Sequence, residues 1–454
     1  MDRRHFLKTG AAAATSFMVL PNWVVGNGPS PNSKVNIAVI GVGGRGKNHV
    51  DGYENENIVA LCDVDDERAA YSYEKHPNVP RFRDYREMFD KMGDKIDAVS
   101  IATPDHMHYP IALWALMMGK HVYCEKPLVR TIWEARQLKA VAAKAGVVTQ
   151  MGNQGHTYEG LRYIKEWTQA GILGEVKEVM HWSNRPIWRQ GELTRANEKV
   201  PATLDYDLWL GVAPKKSFDS NIVPFQWRGW KDYGCGAIGD MACHIMDSSF
   251  SGLGLDRPFA IEASASGSHA ETFPNSETIS YRFANPNGGK PIKVTWSDGG
   301  RLPDLKKAPG VPADFFAERV DGQGRKRKSN ENGTFIVGDK GTLWTDTYSS
   351  TVKVFPEDYF KQLRSDKALP KKTLKRVKGG PFREFAEAIR NGEKAGSDFQ
   401  YAADFTETAL LGIVALEAGE KIKYNAKKGV VTNLPEANKY LESQYDYKKE
   451  FLPA

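Results

Sequence analysis

"VNIAVIGVGGRGKNHV", residues 35–50, decides the fold. A short apolar run leads into three glycines, Gly41, Gly43 and Gly46, and a polar stretch follows. That order, strand then G-x-G-x-x-G then helix, describes a dinucleotide-binding turn. Gly41 permits the tight bend, Gly43 lets the backbone approach a pyrophosphate, and Gly46 lets the helix pack closely on the strand. Val42, Gly44 and Arg45 complete the loop, where free N–H groups and the positive end of the helix dipole face the phosphates. An acid should end the next strand. "IVALCDVD" at 58–65 supplies Asp63, 22 residues after Gly41. A carboxylate there takes the ribose hydroxyls of the adenosine and repels a 2′-phosphate, so NAD is expected rather than NADP. Arg45 and Arg68 are the residues that soften this preference.

The same alternation continues outward. "IDAVSIATP" at 96–104, "HVYCE" at 121–125 and "VVTQMG" at 147–152 read as further short buried strands. Helical patterns separate them. "DYREMFDKM" at 84–92 puts Tyr85, Met88, Phe89 and Met92 on one face. "IALWALMMG" at 111–119 stops at Gly119, and "TIWEARQLKAVAAKAG" opens with a Thr131–Glu134 capping box and stops at Gly146. A doubly wound parallel sheet is predicted over residues 34–152. From residue 153 to 430 the strands "EVKEVMHWS" (175–183), "PFAIEASASGS" (258–268), "ETISYRFAN" (277–285), "PIKVTWSDG" (291–299) and "GTFIVGDKGTLWTD" (333–346) predict an α/β domain with an open, largely antiparallel sheet. Two late helices, at 381–392 and 406–420, close it. Residues 431–454 form a tail expected to wrap a neighbouring domain or subunit.

The chain of 454 residues is too long for one ordinary core. Its 41% hydrophobic and 26% charged content describes a folded protein rather than a disordered one. A net charge of +6 is slight for this length. Two basic runs, "RKRK" at 325–328 and "KKTLKRVK" at 371–378, lack interleaved aromatics, so no nucleic-acid partner is expected. Residues 1–33 read as a signal peptide and linker. Arg3 and Arg4, followed by Phe6, Leu7 and Lys8 and a short apolar segment, resemble a twin-arginine export signal, which carries folded cargo to the periplasm. No membrane span is expected. Cys62, Cys124, Cys235 and Cys243 do not suggest a disulfide framework, and no C-x-x-C pair suggests zinc.

Three further motifs carry the chemistry. They are T-P-x-x-x-H at Thr103–His108, E-K-P at Glu125–Pro127 and D-x-x-x-H at Asp240–His244. With the glycine loop they resemble the Gfo/Idh/MocA family of glucose-fructose oxidoreductase and inositol dehydrogenase, over nearly all of the chain after the signal. The resemblance implies a Rossmann domain followed by an open-sheet α/β domain, NAD as cofactor and a carbohydrate as substrate. It places Lys126, Asp240 and His244 at the nicotinamide and substrate, with Thr103, Pro104, His108, Glu125 and Asn153 on the cofactor side. A homo-oligomer, dimer or tetramer, is expected with it.

The residue chemistry agrees. Oxidising a secondary alcohol moves a hydride from carbon and a proton from oxygen, so a base must reach the hydroxyl. His244 suits that role. Lys126 can bind the reacting oxygen, Asp240 can bind a second hydroxyl or tune His244, and Glu125 can hold Lys126 or the nicotinamide ribose. His106 and His108 begin a helix rather than a metal site, and no metal is expected. Among the aromatics between 182 and 230 most belong to core; Trp188 and Trp227 are candidates to stack on a sugar, with Arg185 and Arg228 binding hydroxyls or a carboxylate. Three functions stay open: an NAD-dependent oxidoreductase acting on a sugar or glycoside, a glycosidase or lyase that uses bound NAD transiently through a 3-keto intermediate, and a non-catalytic NAD-bound sensor.

Overall fold

The computed structural model describes residues 34–453, apart from Glu192, Ser268, Asp321, Gly322, Ser443, Gln444, Asp446 and Lys448. The export signal read at residues 1–33 lies outside the described residues.

The first sheet has six parallel strands: β1 (Asn36–Ile40), β2 (Asn57–Cys62), β3 (Arg81–Phe82), β4 (Ala98–Ile101), β5 (His121–Cys124) and β6 (Thr149–Met151). Their spatial order is β3-β2-β1-β4-β5-β6. The order reverses between β1 and β4, and a doubly wound sheet opens its ligand crevice at the carboxyl ends of such strands. Its strands are apolar because helices cover both faces. The helix Ile132–Ala145 shows how locally these elements are specified. Thr131 Oγ1 accepts the Glu134 N–H at 3.2 Å, and Glu134 returns a carboxylate oxygen to the Thr131 N–H at 2.9 Å. Gly146, at φ +65°, ends it in the left-handed conformation that glycine adopts without penalty.

The second sheet has nine strands in the order β15-β14-β13-β7-β10-β9-β8-β16-β17. These are β7 (Val176–Trp182), β8 (Ala260–Ser266), β9 (Ser276–Phe283), β10 (Ile292–Ser297), β13 (Gly333–Gly338), β14 (Thr342–Thr345), β15 (Val352–Phe355), β16 (Ile422–Asn425) and β17 (Val430–Val431). Every pairing is antiparallel except β7 with β10. The remaining two strands, β11 (Glu318–Val320) and β12 (Lys326–Lys328), form a separate hairpin, so the basic run at 325–328 is largely strand. The other basic run is spent on acids: Lys372 pairs with Glu159, Arg376 with Glu166 and Lys375 with Glu393.

The helix Phe399–Ala418 begins nearly two turns before the pattern at 406–420 and is buried along most of its length. On one side it lies against the helix Ile132–Ala145 of the first domain, and on the other against β8 and the helix Gly236–Ile245. This apolar rod positions the site, because it sets the carboxyl edge of the parallel sheet against the helix that carries Asp240 and His244. Among the described residues no helix is long and apolar enough to cross a membrane.

Candidate active site

A cavity of about 510 Å³ runs from Gly41, Asp63 and Arg83 at one end to Lys126, Asp240, His244 and Tyr348 at the other. The glycine turn forms its floor. Gly41 holds φ +79°, and a Cβ there would stand 2.8 Å from the Ala102 carbonyl on the neighbouring strand end. A Cβ on Gly46 would fall 1.7 Å from the Gly41 carbonyl oxygen, so no side chain fits where the helix Gly46–Gly52 closes on β1. Gly43 meets the Cβ of Arg68 in the same way, at 2.9 Å. Asp63 locks this turn from β2: one carboxylate oxygen accepts the Val42 and Gly43 N–H groups at 2.8 and 2.9 Å, and the other accepts the Asp65 N–H at 3.0 Å. Burial pushes the Asp63 carboxyl up, and these N–H bonds act against it.

At the far end two buried carboxylates point in opposite directions. Glu125 accepts Arg45 Nε at 2.9 Å and His49 Nε2 at 3.0 Å, while His49 Nδ1 meets Ser100 Oγ at 2.8 Å. Burial alone would raise Glu125; the His49 bond and the Arg45 charge outweigh it and hold the group well below the usual carboxylate range. Asp240 belongs to the helix Gly236–Ile245, and its carboxylate takes Lys126 Nζ at 2.7 Å. Lys126 Nζ also donates to the Asp240 carbonyl at 3.0 Å. Arg228 Nε stands 3.4 Å and Arg185 Nε 3.8 Å from the same carboxylate. Burial opposes ionisation of Asp240, but the Lys126 and Arg228 charges prevail and keep it ionised.

His244 lies one turn beyond Asp240 on the same helix face, 5% exposed, with its ring edge-on to Tyr348 at 4.9 Å. Its Nδ1 is buried without a hydrogen-bond partner among the described residues. Burial first, then the Lys126 charge, lowers its pKa to about 3. The imidazole is therefore neutral near pH 7 and can accept a proton. The hydroxyl of Thr103, which also lines the cavity, is likewise buried with no partner among the described residues. A close-fitting glycine cradle, an acid at the end of β2 and an unsatisfied hydroxyl along the floor fit a dinucleotide.

Two models of one family match the chain: an oxidoreductase family, NAD-binding Rossmann fold, over residues 35–153, and the C-terminal alpha/beta domain of the same family over residues 161–293. The chain belongs to the Gfo/Idh/MocA oxidoreductase family. NAD is accordingly the cofactor of its N-terminal domain. Relatives include the D-glucoside 3-dehydrogenase of Escherichia coli, 32% identical over 32% of this chain and 42% of that protein. Another is the alpha-N-acetylgalactosaminidase of Shewanella oneidensis, 31% identical over 39% of this chain and 44% of that protein. The chain thus spans less than half the length of either relative. The WlbA dehydrogenase of Chromobacterium violaceum, solved with NADH, superposes at a TM-score of 0.61 with 14% identity, over 89% of this chain and 99% of that one.

The structure brings Lys126, Asp240, His244, Arg185, Trp227 and Arg228 to one end of the cavity, and Gly41, Gly43, Gly44, Arg45, Asp63, Thr103, Pro104 and Glu125 along it. Other residues read as part of the site lie off this lining. His108 does not line the cavity; its ring nitrogens meet the carbonyls of Pro127 at 2.8 Å and Thr103 at 2.9 Å, stapling two loops from behind. Asn153 is buried against Asp247 at 3.1 Å, and Trp188 is buried with its Nε1 on Gln190 at 2.7 Å, so neither lines the cavity. Val42 and Gly46 shape the turn without lining it. Glu125 pairs with Arg45 and His49 rather than holding the Lys126 ammonium, which goes to Asp240. His106 is buried between Trp209 and Tyr233 and bonds the Trp209 carbonyl at 2.9 Å. No group of three or more His, Cys, Asp or Glu side chains is placed to hold a metal among the described residues.

Among the lining residues that went unread in the sequence are Tyr348 and Phe451. Tyr348 arrives from the loop after β14. Phe451 comes from the tail: Arg86 stacks on its ring at 4.6 Å and the Tyr85 hydroxyl donates to its carbonyl at 3.1 Å, so the tail folds back on its own chain. The double use of Asp63 yields a prediction. Asp63→Ala unpins the turn and removes the carboxylate expected to take the ribose hydroxyls, so NAD affinity should fall by about tenfold or more, with a smaller loss for NADP. Calorimetric titration of apoprotein with each cofactor measures it; unchanged NAD affinity would contradict both roles.

Proposed function

We propose that this protein oxidises a secondary hydroxyl of a sugar or glycoside. The observation that carries the reading is the convergence of Lys126 from the first domain with Asp240 and His244 from the second at one end of the cavity whose floor is the glycine turn. NAD, when bound there, supplies the hydride acceptor. Lys126 donates a hydrogen bond to the reacting oxygen and stabilises charge gathering on it. Neutral His244 takes the hydroxyl proton on its ring nitrogen, and Tyr348 fixes the ring plane. Asp240 holds the Lys126 ammonium in place. Trp227, buried beneath the Arg228 guanidinium, lines the same end. The glucoside 3-dehydrogenase relative supports the substrate class.

A second reading is favoured by the alpha-N-acetylgalactosaminidase relative. There the same side chains serve a glycosidase: a 3-keto sugar is acidic at C2, loses its aglycone by elimination, and is reduced again after water adds. The sequence-level export signal supports folded export to the periplasm with NAD already aboard, and a cofactor restored in each turnover suits that compartment. Replacing Arg3 and Arg4 by Lys should then leave the protein in the cytoplasm; export at the normal level in cell fractions would refute that route.

Lys126→Met and His244→Asn should each retain NAD binding and lower turnover by about a hundredfold or more, the usual scale for losing an oxyanion donor or a general base. A base with its pKa lowered to about 3 is already deprotonated near neutrality. The kcat/KM profile should therefore stay flat from roughly pH 7.5 down to 5, where an ordinary histidine would lose activity below about 6.5. Unimpaired turnover in both variants would remove this mechanism, and NAD binding without turnover of any sugar in the parent protein would restore the sensor. NADH left behind after a turnover marks the dehydrogenase, whereas product without net NADH marks the glycosidase.

A further inference from the structure

The substrate end of the cavity holds more positive charge than the ion pairs there use. Lys126 and Asp240 cancel at 2.7 Å, and Arg45 and Glu125 cancel at 2.9 Å. Arg185 and Arg228 remain. Both line the cavity, and both approach Asp240 only at 3.8 and 3.4 Å, because Lys126 holds the closer place. Arg185 Nε is buried with no hydrogen-bond partner among the described residues, although Nη1 donates to Asn184 Oδ1 at 2.7 Å. Arg228 lies over the Trp227 ring at 4.2 Å and reaches the Phe225 carbonyl only at 3.5 Å. Among the described residues the one other acid lining this end is Asp105, itself 5% exposed, which offsets a single charge at most. At least one guanidinium therefore faces the cavity uncompensated, which is costly in a partly desolvated site without an anion to meet it. The planar N–H forks of arginine match carboxylate or sulfate oxygens two at a time, and a guanidinium already stacked on Trp227 loses little freedom on binding.

We propose that Arg185 and Arg228 form an anion clamp and that the sugar oxidised carries a negatively charged group, a carboxylate as in a uronic acid or a sulfate ester. This rests on the reading of the site as one that oxidises a sugar hydroxyl, and it adds the substrate's charge. Asp240, between the arginines and Lys126, faces the neutral hydroxyls of the same ring.

The test uses the full NAD-loaded protein with matched methyl glycosides of gluco, galacto and manno configuration, each as neutral hexoside, uronide and 6-sulfate. The best acidic member should exceed its neutral counterpart by about tenfold or more in kcat/KM. The uronide and sulfate arms tell the two anions apart. Arg185→Gln and Arg228→Gln should each bring that ratio close to one through KM, with NAD titration unchanged, and Arg228→Lys, which keeps charge but not the fork, should restore part of it. A neutral glycoside used as well as its acidic partner, or a preference that survives both Gln substitutions, overturns the clamp while leaving sugar oxidation intact. If no sugar reacts, the oxidation reading fails, and quenching of tryptophan fluorescence decides the clamp separately. Uronide or sulfate binding lost in the Gln variants keeps it; absence of such binding removes it.

Discussion

The buried ion pair between Lys126 and Asp240 is the constraint on which the site depends. Its partners are separated by 114 residues and come from different domains. Each side chain is only 12% exposed, so neither charge is well solvated by itself. A buried pair of this kind is stable only with good geometry and further hydrogen bonds, and removing one partner strands the other. The second bond from Lys126, to the Asp240 carbonyl, meets part of that need. Pro127 after the lysine and the helix that begins at Gly236 fix the two ends. The apolar helix Phe399–Ala418 holds the domains at the spacing the pair requires.

The bridge also divides the protonation states. Glu125 and Asp240 stay ionised because cations outweigh their burial, while His244 stays neutral because burial and the Lys126 ammonium act in the same direction. Titratable groups in one cavity whose environments push them apart are the pattern expected of acid–base work. Lys126 thus acts on its neighbours twice: its charge helps hold the Asp240 carboxylate ionised and helps keep the His244 imidazole neutral.

Much of this was legible in local pattern. The glycine turn, the acid ending β2, E-K-P and D-x-x-x-H are each defined by a few adjacent residues, and turns and helix faces follow from such spacings. What stayed hidden depends on partners far away in the chain. That Glu125 turns to Arg45 and His49 is invisible in "CEKP", because those partners lie about eighty positions earlier. His108 and Asn153 belong to or adjoin the motifs yet meet carbonyls and Asp247 instead of lining the cavity. Trp188 read as a sugar platform by composition alone, while its indole N–H was satisfied two residues away. Tyr348 and Phe451 carry no motif at all and reach the cavity only through tertiary folding.

A double-mutant cycle on single-turnover oxidation tests the bridge most directly, with Lys126→Met, Asp240→Asn and the combined variant measured on the best glycoside found. If Asp240 acts through Lys126, the combined variant should be no slower than Lys126→Met by more than about threefold, since two changes in one interacting unit do not add. Losses that multiply independently would show that the two side chains work apart, and would contradict a site organised around their ion pair.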